Sequence, residues 1–349
     1  MDVALYHPDA GYYARSAQRS GRAGDFFTSV DVGPLFGELL ETQLAEMGAI
    51  VGGPFDPFDI VEAGAGNGRL AADILRAARD RHPSFYERIA LHLVEASGAA
   101  RSAQRDTLGD VAGRLTWSSA DLPASFQGAL LANELLDAMP VHQVVMRREG
   151  LREIYVDASL RLVEGPPSTP ALEDYLTRVG ARLEPGWRAE INLRAIEWIR
   201  DVSRRLQRGF VVVIDYGHEA RELYAASHSA GTLTTFSAHT SGIERSPGAP
   251  PWLEHPGTQD ITAHVDFTGV RRAAEEAGLT TLGLLDQTYW LLGAVERLGT
   301  ELGTDARRMR ALKTLVMPGG IGSTHKVLVF GKGVGTPALA GLSFSTRIT

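Results

Sequence analysis

The chain has no cysteine among its 349 residues. Disulfide bonds, thiolate metal sites and cysteine nucleophiles are therefore excluded. No apolar run approaches the roughly 18 residues that a membrane-spanning helix needs, so we expect no membrane partner. The first residues have neither the basic region nor the apolar core of a signal peptide, so the sequence predicts a cytoplasmic protein.

Basic residues are outnumbered, with 35 Lys and Arg against 42 Asp and Glu, so the formal net charge is -7 at pH 7. This argues against a protein that holds nucleic acid in a general basic field. The histidines show no H-E-x-x-H or other tight ligand spacing, so we predict no metal site, although His239, His255 and His264 lie in or beside one long loop. Ser29, Ser97 and Ser237 stand in no G-x-S-x-G context, which leaves serine hydrolase chemistry unsupported.

Strand-like and helix-like segments alternate along most of the chain. Such alternation predicts an α/β fold with a doubly wound, mostly parallel sheet. The predicted strands of this sheet span residues 58–62, 89–95, 115–118, 128–133, 210–216, 281–286 and 326–330. The predicted helices span residues 32–47, 69–81, 99–108, 171–183, 191–206, 267–277, 289–298 and 306–315.

The chain divides into five predicted segments. They are an N-terminal segment (1–54), the first part of the core (55–140), an insertion of three antiparallel strands and helices (141–207), the remainder of the core (208–333) and a tail (334–349). Residues 217–262 form a long loop, which is typical of a binding loop, a lid or disorder. We expect the chain to be frayed after Gly331.

The most informative segment is a glycine-rich turn between a predicted strand and a predicted helix. The strand ends at Glu62, and Gly64, Gly66 and Gly68 follow at alternate positions. Glycine permits a sharp turn and lets a ligand lie against the backbone. A dinucleotide fingerprint needs its third glycine at position 69, where this chain has Arg69.

The charge at this turn helps to choose between two nucleotide ligands. Glu62 would repel the pyrophosphate of a dinucleotide. S-adenosylmethionine has no phosphate and carries a cationic sulfonium and an ammonium group, which an acidic strand end favours. An NAD-dependent oxidoreductase is the less favoured alternative.

Polar residues lie at the ends of several predicted strands, namely Glu62, Glu95, Asn133 and Asp215. Ligands of doubly wound sheets bind outside the carboxyl ends of the strands, so we expect these residues along one edge. Glu95 could accept hydrogen bonds from both ribose hydroxyls, or it could simply be a charged residue leaving a strand. Asp121 could meet the adenine amino group, or it could be a loop aspartate.

Two carboxylates follow the fourth predicted strand. Glu134 stands beside Asn133 at the mouth of the strand, and Asp137 lies one helical turn further on the same side. Carboxylates bind a guanidinium through paired hydrogen bonds, so the pair suits a cationic acceptor. Capping, or pairing with nearby arginines, is the alternative. Glu134, Asp137 and Asp215 are the candidate catalytic residues.

The N-terminal segment contains a further candidate for the binding site. Gly24, Asp25, Thr28 and Ser29 combine a flexible residue, a carboxylate and two hydroxyls before a helix. From composition alone, a helix N-cap at Ser29 or Asp31 is the better interpretation.

Short motifs in a specific order carry a resemblance to one family over nearly the whole chain. They lie at residues 5–8, 24–29, 62–68, 92–97, 132–142, 215–217, 231–233 and 260–267. Together they resemble the MidA-type S-adenosylmethionine-dependent methyltransferases. Each motif is modest, but their order and spacing together are specific.

The resemblance implies a class I methyltransferase sheet, which is Rossmann-like, with an N-terminal extension and a β-rich and helical insertion. It implies S-adenosyl-L-methionine as the cofactor, lined by Gly64, Gly66, Gly68 and Glu95, with residues 24–29 closing over it. The family includes a mitochondrial complex I assembly factor implicated in symmetric dimethylation of an arginine on a complex I subunit. The resemblance therefore implies a protein substrate, such as a respiratory-complex subunit, and arginine is the leading methyl acceptor. A cofactor-binding assembly factor with little turnover is the main alternative.

Overall fold

The computed structural model describes residues 1–14, 28–53, 55–237, 240–241, 250–302, 305–317 and 321–344. The strands in these residues are β1 (Phe58–Ala63), β2 (Ile89–Val94), β3 (Leu115–Ser119), β4 (Phe126–Asn133), β5 (His142–Arg147), β6 (Gly150–Val156), β7 (Leu162–Gly165), β8 (Arg188–Ile191), β9 (Leu206–His218), β10 (Thr234–Ser237), β11 (Thr240–Ser241), β12 (Asp260–Thr262), β13 (Val265–Asp266), β14 (Thr280–Asp286) and β15 (His325–Lys332).

The α-helices of the same residues are α1 (Asp2–Tyr6), α2 (Leu35–Val51), α3 (Arg69–Arg81), α4 (Pro83–Tyr86), α5 (Gly98–Leu108), α6 (Ala171–Val179), α7 (Leu193–Arg205), α8 (Ala220–Leu223), α9 (Phe267–Glu276), α10 (Gln287–Leu298), α11 (Ala306–Val316) and α12 (Ile321–Thr324). None of them has the length and hydropathy that a transmembrane span needs.

The central sheet has the strand order β14-β15-β9-β4-β1-β2-β3, and β13 also pairs with β9. The strands from β9 to β3 are parallel to one another, and β15 is antiparallel to both of its neighbours. The predicted doubly wound, mostly parallel α/β sheet is confirmed. From β1 the chain continues to β2 and β3 on one side of β1 and then crosses to β4 on the other side. The direction of the connections therefore reverses between β1 and β4, and the carboxyl ends of these two strands form the topological switch point.

Helices cover both faces of this sheet. Along β1, Phe58 and Ile60 belong to a core shared with α2, α3 and α10, whereas Val61 and Ala63 belong to a second core shared with α6, α7 and α9. Successive side chains of a strand point to opposite faces, so one strand contributes to both cores. A strand buried on both faces has to be largely apolar, as residues 210–214 of β9 are.

The insertion forms a separate antiparallel sheet in the order β7-β6-β5-β8. The three strands predicted there are present, and β8 is a fourth that the sequence analysis missed. Ile191, the last residue of β8, was assigned to the following helix. Asn192 is the N-cap of that helix, because its side chain accepts a hydrogen bond from the backbone N–H of Ala195 at 2.8 Å.

Three local expectations differ from the structure. The first long helix begins at Leu35 rather than at residue 32, because Ser29–Val32 forms a 3-10 turn before it. Part of the predicted long loop consists of α8, β10 and β12. Fraying after Gly331 is wrong for the described tail, where Leu339 is buried and the Gly341 N–H donates to Gln43 Oε1 at 2.7 Å. The segment boundaries proposed from sequence stay predictions.

Candidate cofactor and acceptor site

A cavity of about 580 Å³ lies at the carboxyl edge of the sheet. Its lining includes Gly64, Val94, Glu95, Ala120, Leu135 and Met139. These residues follow or end β1, β2, β3 and β4, so the cavity opens at the switch point where a doubly wound sheet binds its ligand.

The glycine turn beside this cavity is left-handed at three positions. The φ angles are +76° at Gly64, +51° at Gly66 and +86° at Gly68. A Cβ added at Gly66 would have no protein atom within 4 Å. Two side chains outside the turn hold it in place. The Gly66 N–H donates to Glu95 Oε2, and the Gln104 amide donates to the Gly66 carbonyl, both at 2.9 Å. The space above Gly66 is therefore open.

Glu95 is fixed at the edge of the cavity by two backbone groups. Its Oε2 accepts from Gly66, and its Oε1 accepts from the N–H of Ser97 at 2.7 Å. A carboxylate oxygen can accept more than one hydrogen bond, so both oxygens retain capacity for hydroxyl donors. Gln104, which supports Gly66 and also accepts from Ser118 Oγ at 2.7 Å, is a positioning residue that the sequence analysis missed.

Glu62 is a buried carboxyl group at the end of β1. Its Oε2 has no hydrogen-bond partner among the described residues. Burial raises its pKa to about 8, while a hydrogen bond from the Ala71 backbone at the start of α3 opposes that shift and the nearby Glu95 adds to it. An orphaned buried acceptor in a native protein calls for a ligand or a functional role, and a cationic ligand would satisfy this one.

This raised pKa predicts a pH dependence of stability. The unfolded Glu62 ionises near its ordinary value of 4.5, whereas the folded carboxyl keeps its proton up to about pH 8. Between these values the folded state binds more protons, so the free energy of unfolding should fall as pH rises, by at most on the order of 5 kcal/mol. Glu62→Gln should flatten the slope measured by urea denaturation. Glu149→Gln, in the exposed turn between β5 and β6, is the control. A wild-type slope in Glu62→Gln would contradict the prediction.

Asp215 shapes the turn that carries Glu134 and Asp137. Its Oδ2 accepts from the backbone N–H groups of Leu135, Leu136 and Asp137 at 3.2, 2.8 and 3.4 Å. Its Oδ1 accepts from the N–H of Tyr216 at 2.9 Å. The carboxyl group is fully buried, and its hydrogen bonds are to the backbone, which is the arrangement of a positioning residue.

Glu134 stands in this turn with a strained backbone. Its φ is +50°, a conformation that non-glycine residues adopt rarely and often at functional sites. Burial raises its pKa to about 8, and Asp137 adds to the shift, while a hydrogen bond from the Ser29 backbone opposes it. The Asn133 amide donates to Glu134 Oε1 at 3.4 Å, and His325 Nε2 lies 3.7 Å from the same oxygen.

Asp137 is the second buried carboxyl group of the turn. Burial raises its pKa to about 6, opposed by a hydrogen bond from the Tyr216 hydroxyl. Its Oδ1 has no hydrogen-bond partner among the residues that the structure describes. Glu134 and Asp137 thus form a pair of buried acidic groups that a cation would drive to the ionised state.

The N-terminal segment reaches the glycine turn through Arg69. This side chain, at the position of the missing third glycine, pairs with Asp31 at 2.6 Å. Asp31 also accepts from the backbone and hydroxyl of Thr28 at 3.0 Å. The N-cap residue is therefore Thr28 rather than Ser29 or Asp31, and it caps the 3-10 turn Ser29–Val32 rather than α2. The buried Ser29 hydroxyl contacts the Gln287 side chain at 3.1 Å. Gly24 and Asp25 lie outside the described residues.

The remaining sequence candidates have different surroundings. Asn133 ends β4, and its Oδ1 is buried without a hydrogen-bond partner in the described part of the chain. Asp121 is exposed, and its neighbour Ala120 rather than Asp121 lines the cavity.

Two aromatic residues of the cavity were missed. Tyr6 lines it and donates to the Ala138 carbonyl at 3.0 Å, and its position in the first motif of the resemblance was the available signal. Trp198 of α7 also lines the cavity. No motif in the sequence marked Trp198.

Comparisons with known proteins agree with this geometry. Residues 39–285 match the family model described as "Putative S-adenosyl-L-methionine-dependent methyltransferase". The chain is 30% identical to the Mus musculus "Protein arginine methyltransferase NDUFAF7, mitochondrial", with 95% of this chain and 75% of that protein covered. The Drosophila melanogaster homologue is also 30% identical, over 80% of this chain and 66% of its own.

A solved structure has the same architecture. It is a crystal structure of a candidate methyl transferase from Burkholderia thailandensis bound to S-adenosyl-homocysteine, with 30% identity and a TM-score of 0.84. The similarity covers 99% of this chain and 89% of that chain. Given the matched residues and the shared fold, this chain belongs to the family of S-adenosyl-L-methionine-dependent methyltransferases.

Proposed function

We propose that this chain methylates an arginine side chain of a protein substrate. The observation that carries the proposal is the buried pair of acidic groups, Glu134 and Asp137, in the turn after β4. Two carboxylates suit the fork of donors on a guanidinium, which binds such groups bidentately. The mouse and fly relatives are named as protein arginine methyltransferases, which supports the same acceptor.

We assign the cofactor side of the cavity to Glu62, Glu95 and the glycine turn. The residues fit the group, because a Cβ at Gly66 would fill open space and the orphaned Glu62 oxygen would accept from an ammonium. Glu95 retains acceptor capacity for the ribose hydroxyls. S-adenosyl-L-methionine supplies the electrophilic methyl group when it is bound.

The acceptor side acts by orientation. In our proposal Glu134 and Asp137 hold the guanidinium through hydrogen bonds and direct one nitrogen toward the methyl group. The transfer is an in-line displacement, so this orientation accounts for much of the rate enhancement. Burial raises the pKa of Glu134 to about 8, close to neutral pH. Glu134 is therefore the group that would take the proton that the nitrogen loses. Asp215 positions both through the backbone.

A labelling experiment tests this function. The purified protein is incubated with cell lysate and S-adenosyl-L-methionine carrying a labelled methyl group, and the labelled proteins are hydrolysed and identified by mass spectrometry. We expect the label in methylarginine. We also expect the same proteins to lack this methylarginine in cells that lack the gene. Label in another residue would overturn the arginine assignment.

The same experiment distinguishes a methyltransferase from a cofactor-binding assembly factor with little turnover. Such a protein would bind S-adenosyl-homocysteine, and its thermal stability would rise with the ligand, yet no protein would be labelled. A respiratory-complex subunit is one protein substrate to examine among the labelled species. The cytoplasmic location stays a prediction, and the mouse and fly relatives are named as mitochondrial.

A further inference from the structure

Three histidines outside the methyl-transfer residues lie together near the carboxyl end of β9. His218 ends β9, His228 ends the 3-10 turn Ala226–His228, and His264 stands between β12 and β13. We call them the histidine cluster. One possible ligand atom from each lies within 4.8 Å of those of the other two. Their ring centroids are 4.8 to 5.9 Å apart.

The Nδ1 atoms of two of these rings lie close to oxygen atoms of Glu222. His218 Nδ1 lies 3.0 Å from Glu222 Oε1, within ion-pair range but without hydrogen-bond geometry, and His228 Nδ1 lies 3.0 Å from the Glu222 carbonyl oxygen. Histidines that bind metal in proteins usually direct their second nitrogen to a carboxylate or a backbone carbonyl in this way. The Nε2 atoms of His218 and His228 are then the ones left for a ligand.

The third ring lacks such a contact. His264 is largely buried, and its Nδ1 has no hydrogen-bond partner among the described residues. Burial, followed by the neighbouring His218 and His228, lowers its pKa to about 4. Burial also lowers the pKa of His218. A buried imidazole nitrogen without a partner calls for a ligand or a functional role.

We propose that the histidine cluster binds a divalent transition-metal ion of the zinc type. Imidazole nitrogens suit zinc, and three histidines with one open position form a known coordination set. With zinc–nitrogen distances of about 2.0–2.1 Å, tetrahedral ligands are about 3.3 Å apart. The three nitrogens are now up to 4.8 Å apart, so they would have to approach one another by about 1.5 Å at most to reach that geometry.

The site would join three segments of chain close to the acceptor carboxylates. The ion would link the end of β9, the turn after α8 and the segment between β12 and β13. The His264 ring packs edge-on against Tyr216, with ring centroids 5.6 Å apart, and the Tyr216 hydroxyl hydrogen-bonds Asp137. A bound metal would thus stabilise the wall behind Asp137, whatever molecule is methylated there.

Metal binding to the full chain tests the proposal directly. After dialysis against zinc and then metal-free buffer, elemental analysis should find one zinc per chain. Cobalt should give the visible absorption of a tetrahedral or five-coordinate site. His228→Asn and His264→Asn should each weaken zinc binding by at least about 100-fold, since even residues outside the ligand shell change affinity 10–100-fold. Zinc that does not bind stoichiometrically to the wild type would overturn the proposal.

Two further variants guard against indirect effects. His255→Asn removes an exposed histidine whose φ is +54°, which asparagine tolerates, and it should bind zinc as the wild type does. Glu222→Gln leaves the three rings in place and should weaken binding by about 10-fold or more. Circular dichroism would establish that each variant is folded. Unchanged zinc affinity in folded His228→Asn and His264→Asn would show that the cluster is not the site.

Discussion

Replacing Gly66 by valine is expected to abolish binding of S-adenosyl-homocysteine while the protein remains folded. The added Cβ would meet no protein atom within 4 Å, so the protein core is not disturbed. The side chain would instead occupy the open space that we assign to the cofactor. Calorimetric titration should show an affinity at least about 100-fold lower, a loss typical of an overfilled packed space.

Backbone strain has to be separated from this ligand clash. Gly66 has a φ of +51°, and a left-handed residue with a Cβ costs about 1–2 kcal/mol. Gly180→Val is the matched control, because Gly180 ends α6 with a φ of +75° and also has no atom near an added Cβ. Both variants should lose similar stability in thermal unfolding, and only Gly66→Val should lose the ligand. Equal affinities in the two variants would remove the glycine turn from the cofactor site.

The second large effect is expected for Glu134→Gln, which should reduce kcat by about 10²–10³-fold, the range seen when one electrostatic group of an active site is removed. The substitution keeps the shape of the side chain and removes its charge. Affinity for S-adenosyl-homocysteine should change little, because we place Glu134 on the acceptor side. The measurement is steady-state methyl transfer to an arginine-containing protein identified by the labelling experiment.

The pH profile adds a readout that a loss of structure would not produce. Burial and Asp137 raise the pKa of Glu134 to about 8, so kcat/KM of the wild type should increase with pH up to that value. Glu134→Gln should lose this increase, whereas Glu149→Gln, exposed on the insertion, should keep both the profile and the rate. If Glu134 and Asp137 act as a unit, Glu134→Gln with Asp137→Asn should be little slower than either alone. Full turnover in Glu134→Gln would refute the assignment.

Local features were predicted well because their causes are local. Helix α3 was expected at residues 69–81 and is observed at Arg69–Arg81, since an amphipathic pattern begins after the glycine turn and Pro83 follows its end. The glycines at 64, 66 and 68 were expected to turn the chain, and all three have left-handed backbone angles. The short strand β8 was missed because four residues are too few for periodicity to distinguish a strand from a helix start.

Longer-range relationships were not predictable in the same way. The sequence analysis placed Asp215 at a strand end, but only the folded chain brings its carboxyl group beneath the backbone of Leu135, Leu136 and Asp137. The histidine cluster is similar, because its members stand far apart in the sequence without any short metal motif. Contacts of this kind depend on how separate elements pack, which no local pattern records.

The order of apolar strands, amphipathic helices and a glycine turn was enough to establish the α/β sheet and to favour a cationic, phosphate-free cofactor. These features follow from backbone sterics and from hydrophobic burial, which each short segment expresses on its own. The tertiary structure decided which polar groups meet and in which protonation state they are held. The raised pKa values of Glu62, Glu134 and Asp137 arise from desolvation, and desolvation depends on every element packed around a side chain.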